Sequence, residues 1–401
     1  MTVLKKVKCS LGMLACLAAL VPEGASAVTA GAPAPPGLMV EEVRPGTAGQ
    51  KAGLLPGDIL VSWRRGPAAE AALPVAGELA LPFDLAEVFL EQMPRAEVTL
   101  LGRRGAEERS WVLPQGAPSV WVRTAPVLSG DLLDSYREAR ARFETPAGLE
   151  AGATALRGAA ARARSRGAED LAVWFLARAA DELAKGGRWE EADTFYNEAL
   201  ALHASRAPAV SAQLYREWAS LFYQRFNFDR ATELYERALA ADRRKGFGSL
   251  TEAWSLAGLA LMDVRGGGSQ DEAALYRQSI EIRHRLAPGS AEDARGWLLW
   301  GHAEALREQW GPAAERYQRA VAILAEQKAA RLLLIDTLRN LARVLGNLGE
   351  AEAARQTWLR AQSLLLEEAP EDPMMASITQ GLGLVAAGQG ELGRAEELLG
   401  R

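Results

Sequence analysis

Tyr196, Tyr235, Tyr276, Tyr317 and Trp358 stand 39, 41, 41 and 41 residues apart, and the same slot next falls on Leu399. A large side chain returning at that interval is the signature of a helical repeat array, in which each unit packs only on its neighbours. Other columns keep the register. Ala192, Ala231, Glu272, Ala313, Ala354 and Ala395 lie four residues before the large side chain, and Ala199, Ala238, Ser279, Ala320 and Ala361 three residues after the aromatic. Sixteen residues before the large side chain, on the preceding helix, come Ala180, Ala219, Ala260, Gly301, Ala342 and Gly383. One position earlier again stand Ala179, Trp218, Leu259, Trp300, Leu341 and Leu382. Small residues let two helices of a hairpin approach closely, and the large ring fills the space beside them. Glu272 is the one misfit in its column.

Pro208, Pro288 and Pro370 share one position just past the second helix, where a helix should stop. These columns closely resemble the tetratricopeptide repeat in its longer, kinesin-light-chain-like form, over about six units spanning 173–401, the last incomplete. A weaker unit precedes them, with helices near 131–143 and 148–165, because Gly152, Leu156 and Ala159 fit the second-helix columns; a capping hairpin fits equally. Residues 116–172 are therefore expected as linker and degenerate or capping helices. Such an array presents an extended binding surface instead of a catalytic pocket. The class of function expected is a non-enzymatic interaction scaffold or adaptor.

The resemblance implies that the concave surface is lined by fixed positions of each first helix. Those positions hold Gln213, Arg216, Ser220 and Tyr223 in one unit, and Arg295, Leu298, His302 and Ala305 in another. In the next they hold Asp336, Arg339, Arg343 and Gly346. Four arginines against few acids predict a locally basic groove, and guanidinium forks suit carboxylates. Other proteins or peptide C-termini, including acidic segments, are the expected partners.

Residues 37–115 change character, with short β-type runs (GLMVEEV, AGLLPGDILVSW, EVTLLGRRG, ERSWVL) divided by glycine and proline turns, and a helical run from Phe83 to Met93. Ala52-Gly53-Leu54 followed by Pro56-Gly57-Asp58-Ile59-Leu60 resembles a bacterial PDZ domain of the kind attached to envelope proteases, and Arg103-Arg104-Gly105 fits its closing hairpin. That resemblance implies a short helix, a tight turn and a buried strand here. It also implies a peptide groove that adds a peptide's C-terminal end as an extra strand. The matching positions are Gly37, Leu38, Met39 and Val40 on the loop and strand, with Leu85 and Phe89 one turn apart on the helix; those last two serve equally as core. The fold class expected is a multidomain chain, a small β-rich PDZ-like domain plus an all-α tetratricopeptide-repeat solenoid.

Lys5, Lys6 and Lys8 precede an apolar run from Leu11 to Val21 and the triplet Ala25-Ser26-Ala27, the layout of a secretory signal over 1–27 with cleavage before Val28. The run is too short for a comfortable membrane span. A lipoprotein processing site at Cys16 is the competing reading. The mature chain is expected to be exported, periplasmic or extracellular, behind a mobile linker at 28–36. Both cysteines, Cys9 and Cys16, fall inside the leader, which leaves no disulfide and no thiolate ligand or nucleophile. Removing the leader's three lysines and one glutamate leaves 43 basic against 50 acidic side chains, a balance that argues against nucleic acid.

No catalytic, metal or cofactor constellation stands out. His203, His284 and His302 lack the i, i+4 pairing of a helical metal site, and the first two are expected at the surface. Gly266-Gly267-Gly268 lacks the lysine of a phosphate loop and reads as an interhelix turn. "YRQSIEIRH" followed by Arg285-Leu286-Ala287-Pro288-Gly289-Ser290 also resembles repeats found ahead of caspase-like CHAT peptidase domains. On that alternative the chain is the sensing part of a cysteine peptidase continuing past Arg401; the final repeat has no polar capping helix, through fraying or truncation. A third reading is an accessory factor of an envelope protease or outer-membrane assembly machine.

Overall fold

Alternation of apolar and polar residues builds the first part of the molecule as an antiparallel sheet. The computed structural model describes residues 37–400 apart from 68–74, 117–119, 121, 204–207, 247 and 267–270. The expected leader, the 28–36 linker and the glycine turn at 267–268 lie outside the described residues. Strands β1 (Leu38–Val43), β2 (Ile59–Arg65), β3 (Val75–Glu78), β4 (Val98–Arg104), β5 (Glu107–Leu113) and β6 (Val122–Pro126) form one sheet in the order β5-β4-β2-β1-β6, with β3 also paired to β2. Leu38, Leu60, Val98, Leu100 and Leu113 are fully buried in its core.

Short helix α1 (Ala48–Lys51) leads into the turn before β2, where Gly53 and Gly57 take left-handed φ values of 85° and 93°. Buried Asp58 holds this turn: its carboxylate accepts the Leu55 amide at 2.8 Å and a two-point Arg104 fork at 2.7 and 2.9 Å. Helix α2 (Pro82–Glu87), prolonged by a π turn at Val88–Gln92, covers the expected helical run.

Among the described residues fourteen helices follow as antiparallel hairpins: α3 (Gly130–Phe143), α4 (Leu149–Ser165), α5 (Glu169–Lys185), α6 (Trp189–His203), α7 (Pro208–Gln224), α8 (Phe228–Lys245), α9 (Leu250–Gly266), α10 (Glu272–Leu286), α11 (Ala291–Leu306), α12 (Trp310–Ala325), α13 (Arg331–Asn347), α14 (Ala351–Glu368), α15 (Met374–Gly388) and α16 (Leu392–Leu399). Every alanine of the three small-residue columns from Ala180 to Ala395 is at most 4 % exposed. Tyr196, Tyr276, Tyr317 and Trp358 are buried among them, while Leu399 is 47 % exposed. Tyr196 stacks on Trp218 with centroids 5.6 Å apart, and Tyr276 on Trp300 at 6.0 Å. Stacking of this kind contributes roughly 0.5–1.5 kcal/mol beyond the area buried. Each ring also presses on the next hairpin: a Cβ on Gly258 would lie 2.4 Å from the Tyr235 ring, and one on Gly381 2.4 Å from Trp358. Glu272, the misfit, spends its charge on an ion pair with Arg307.

A further column is conformational. Gly187, Phe226, Glu308, Gly349 and Gly390 follow the first helices α5, α7, α11, α13 and α15 with φ of 77°, 59°, 59°, 81° and 79°. Three are glycine, which accepts this geometry freely; two carry side chains that strain it.

The region expected as linker and capping helices contains a strand. β6 pairs with β1 across Leu38↔Pro126, Val40↔Thr124 and Val43↔Val122, and the Val127 amide donates to the Gly37 carbonyl at 2.9 Å. Helices α3 and α4 match the expected weaker unit, with Gly152, Leu156 and Ala159 buried. The described residues pack as one unit, because the sheet domain is docked on the helices. Phe83 belongs to the same core as Leu156, Phe175 and Trp218. The Glu91 carboxylate accepts the Thr251 amide of α9 at 2.7 Å. Glu41 takes the Tyr136 hydroxyl at 2.8 Å and Arg140 at 2.9 Å, and Lys51 reaches Glu368 at 3.2 Å.

Candidate functional site

Between the docked sheet domain and the first helices of the array lies a cavity of about 1300 Å³. Its roof is the outer side of α2 and its π turn, with Phe83, Leu85, Ala86, Phe89 and Leu90, together with Val122, Arg123 and Thr124 of β6. Its floor runs along α5, α7, α9, α11 and α13, from Trp174 and Asp181 through Glu217, Trp254 and His302 to Asn340 and Arg343. The repeat periodicity makes this floor, since successive first helices present equivalent faces to one side.

The structure brings seven of the twelve expected concave-face positions to this chamber: Gln213, Arg216, Ser220, Tyr223, His302, Ala305 and Arg343. Arg295 and Arg339 do not line it. The arginines have partners within the chain. Arg216 pairs with buried Asp242 at 2.7 Å, Arg295 with Glu292 at 3.1 Å while stacking on the Trp254 ring, and Arg339 with Asp336. Arg343 donates to the Asn340 amide oxygen at 3.3 Å and keeps exposed surface on the chamber. Asp242 comes from the next helix and Glu292 lies one turn before Arg295 outside the counted positions, while Asp336 is itself one of them. His302 sets its ring edge-on to Tyr317, 5.6 Å between centroids, and burial holds its pKa below the ordinary imidazole value. His284 is exposed and its Nδ1 lies 3.0 Å from Asp293; the His203 side chain lies outside the described residues.

The expected strand-addition groove is arranged differently from its sequence picture. Gly37, Leu38, Met39 and Val40 follow one another into β1, but that strand has β2 on one side and β6 on the other. A peptide laid along the outer edge of β1 would meet β6. Leu38, Val40 and Leu85 are at most 2 % exposed and serve the core, and Phe89 turns to the chamber. Among the described residues, no group of three or more His, Cys, Asp or Glu side chains could hold a metal ion, and no helix is long and apolar enough to cross a membrane.

Solved structures share this arrangement of helices. The apo form of RapI superposes with a TM-score of 0.51 at 13 % identity, covering 67 % of this chain and 72 % of that one. BtubC (BKLC) from P. vanneervenii is similar at 21 % identity and TM-score 0.46, over 61 % of this chain and 92 % of its own. A tetratricopeptide repeat protein from Parabacteroides merdae is similar at 14 % identity and TM-score 0.45, over 67 % and 90 %. The helical part is a tetratricopeptide-like repeat solenoid. No protein-family model matches the chain, and no curated protein matches it.

Sequence reasoning missed Glu217. It lies one residue before Trp218, in none of the concave positions, yet it opens onto the chamber. Protein surrounds that opening, and the loss of solvation pushes its carboxyl up to about 7. Its hydrogen bond comes from the Gln213 amide at 2.9 Å, and among the described residues it has no ion-pair partner.

Proposed function

We propose that this protein is an exported interaction scaffold that takes an extended polypeptide segment in the chamber between its sheet domain and the concave face of its solenoid. The carrying observation is the chamber itself, a long concave space with aromatic and aliphatic walls and a few convergent polar groups. On this reading the sheet domain is a PDZ-like module whose peptide edge is filled from within by β6, so it contributes a wall instead of a second independent site. Arg343, the expected arginine most open to the chamber, would accept an acidic side chain or terminal carboxylate of the segment. Export rests on the basic, apolar and small-residue layout of residues 1–27.

Selection of a random twelve-residue peptide library against the full chain tests the chamber. Enriched peptides should lose binding to a variant carrying Ser220→Trp and Ala305→Trp, which fills the space while leaving the outer surface intact. Equal binding to both proteins, or no enrichment at all, would overturn the reading. Export is checked by expression in a Gram-negative host, where the periplasmic product should begin at Val28.

A further inference from the structure

We propose that the α5–α7 end of the chamber recognises a basic side chain, lysine or arginine, of the bound segment, with Asp181 and Glu217 as its anionic partners. This inference rests on the chamber reading above and adds the charge of its occupant. The geometry that carries it is a pair of carboxylates on neighbouring first helices, both opening onto the same walled space.

The groups facing them are accounted for. On α5, Arg178 is held by Glu182 at 2.8 Å, and Lys185 reaches Asp181 at 2.5 Å from a half-exposed position. On α7, Arg216 is turned to Asp242, and Gln213 gives Glu217 a neutral amide. Glu217 is therefore left without an ion-pair partner among the described residues, and its exposed side chain faces the chamber, where it can meet a counter-charge.

A second observation points the same way. Tyr196 on α6 is 2 % exposed and lines the chamber, both carboxylates act on it electrostatically, and its hydroxyl makes no hydrogen bond among the described residues. It can accept one N–H from an ammonium or guanidinium group. The Trp174 ring lines the same end. Burial raises the carboxyl of Glu217, so binding of a cation should strengthen as pH rises through about 7.

The test is titration of the full chain, followed by ligand-observed NMR, with an acetylated, amidated alanine–arginine–alanine peptide and its citrulline counterpart. Citrulline keeps the shape and loses the charge. The arginine peptide should bind at least about tenfold more tightly, a difference of ~1.4 kcal/mol, and the preference should fall below about twofold in the Asp181→Asn, Glu217→Gln variant. Equal binding of both peptides to the unaltered chain would overturn the basic site and leave the chamber standing. Binding of neither would overturn both. The comparison on the unaltered chain decides the matter even where the variant fails to fold.

Discussion

The carboxylate of Glu91, carried by the sheet domain, accepts the backbone amide of Thr251 at 2.7 Å in the first turn of α9. A helix N-terminus carries unpaired N–H groups and a partial positive charge, so an anion is favoured there. The same carboxylate holds Arg95 at 2.6 Å and is only 2 % exposed. One side chain thus joins two parts of the molecule separated by 160 positions in sequence.

Glu91→Ala is expected to lower stability by about 1.5–3 kcal/mol, the range for a charge-assisted hydrogen bond with a buried partner left behind. Glu91→Gln keeps an acceptor and should cost less. Urea midpoints of the two variants against the unaltered chain measure this. An alanine variant within ~0.5 kcal/mol of the parent would mean the contact does not hold the domain in place.

Gly258→Ala separates packing from helix propensity. Alanine is favoured over glycine in a helix by about 1 kcal/mol, but its methyl would meet the Tyr235 ring at 2.4 Å. Overpacking costs roughly 1–3 kcal/mol, so the net change should be destabilising and seen as a lower Tm. A gain in Tm would show that the ring gives way freely.

Glu308→Gly should act in the opposite direction. Glu308 holds φ at 59° in the slot that glycine fills at positions 187, 349 and 390. Relief of left-handed strain, about 1–2 kcal/mol, competes with the extra freedom of an unfolded glycine, and a net gain of ~0.5 kcal/mol or more is expected. Denaturant unfolding decides the sign.

Glu217→Gln tests the chamber carboxylate without a ligand. The folded pKa of about 7 lies above the ordinary glutamate value of 4.5, so the folded state holds a proton that the unfolded chain releases. Stability from this group is therefore highest below 4.5 and is lost as pH rises through about 7. The glutamine variant should be the more stable protein at pH 8 and should show a flatter profile over that window. Matching pH profiles of parent and variant would contradict a raised carboxyl at this wall of the chamber.

The repeat was legible in the sequence because its contacts are local and recurrent. Tyr276 shares a core cluster with Ala260 of its own hairpin and stacks on Trp300 of the next, and the same columns recur in each unit. The strands β1, β2, β4 and β5 were legible for a similar reason, since alternation and the Pro56-Gly57-Asp58 turn are written within a few residues. Two strands were not. β3 is four residues long, and β6 reads as linker until β1 offers it an edge.

Tertiary structure alone decided what the candidate site residues do. The arginines at 216, 295 and 339 looked like a free basic face; Glu292 and Asp336 neutralise two of them from one turn away on the same helix, and folding brought Arg216 its partner Asp242 from α8. Val40 and Thr124 pair across more than eighty positions of chain, and no periodicity announces a pairing that occurs once. What the sequence determined by itself was the hairpin and the stack of hairpins, because those energies repeat. Where the sheet domain sits, and therefore which charges the chamber keeps uncompensated, depends on single long-range contacts such as that between Glu91 and Thr251, which only the folded chain brings together.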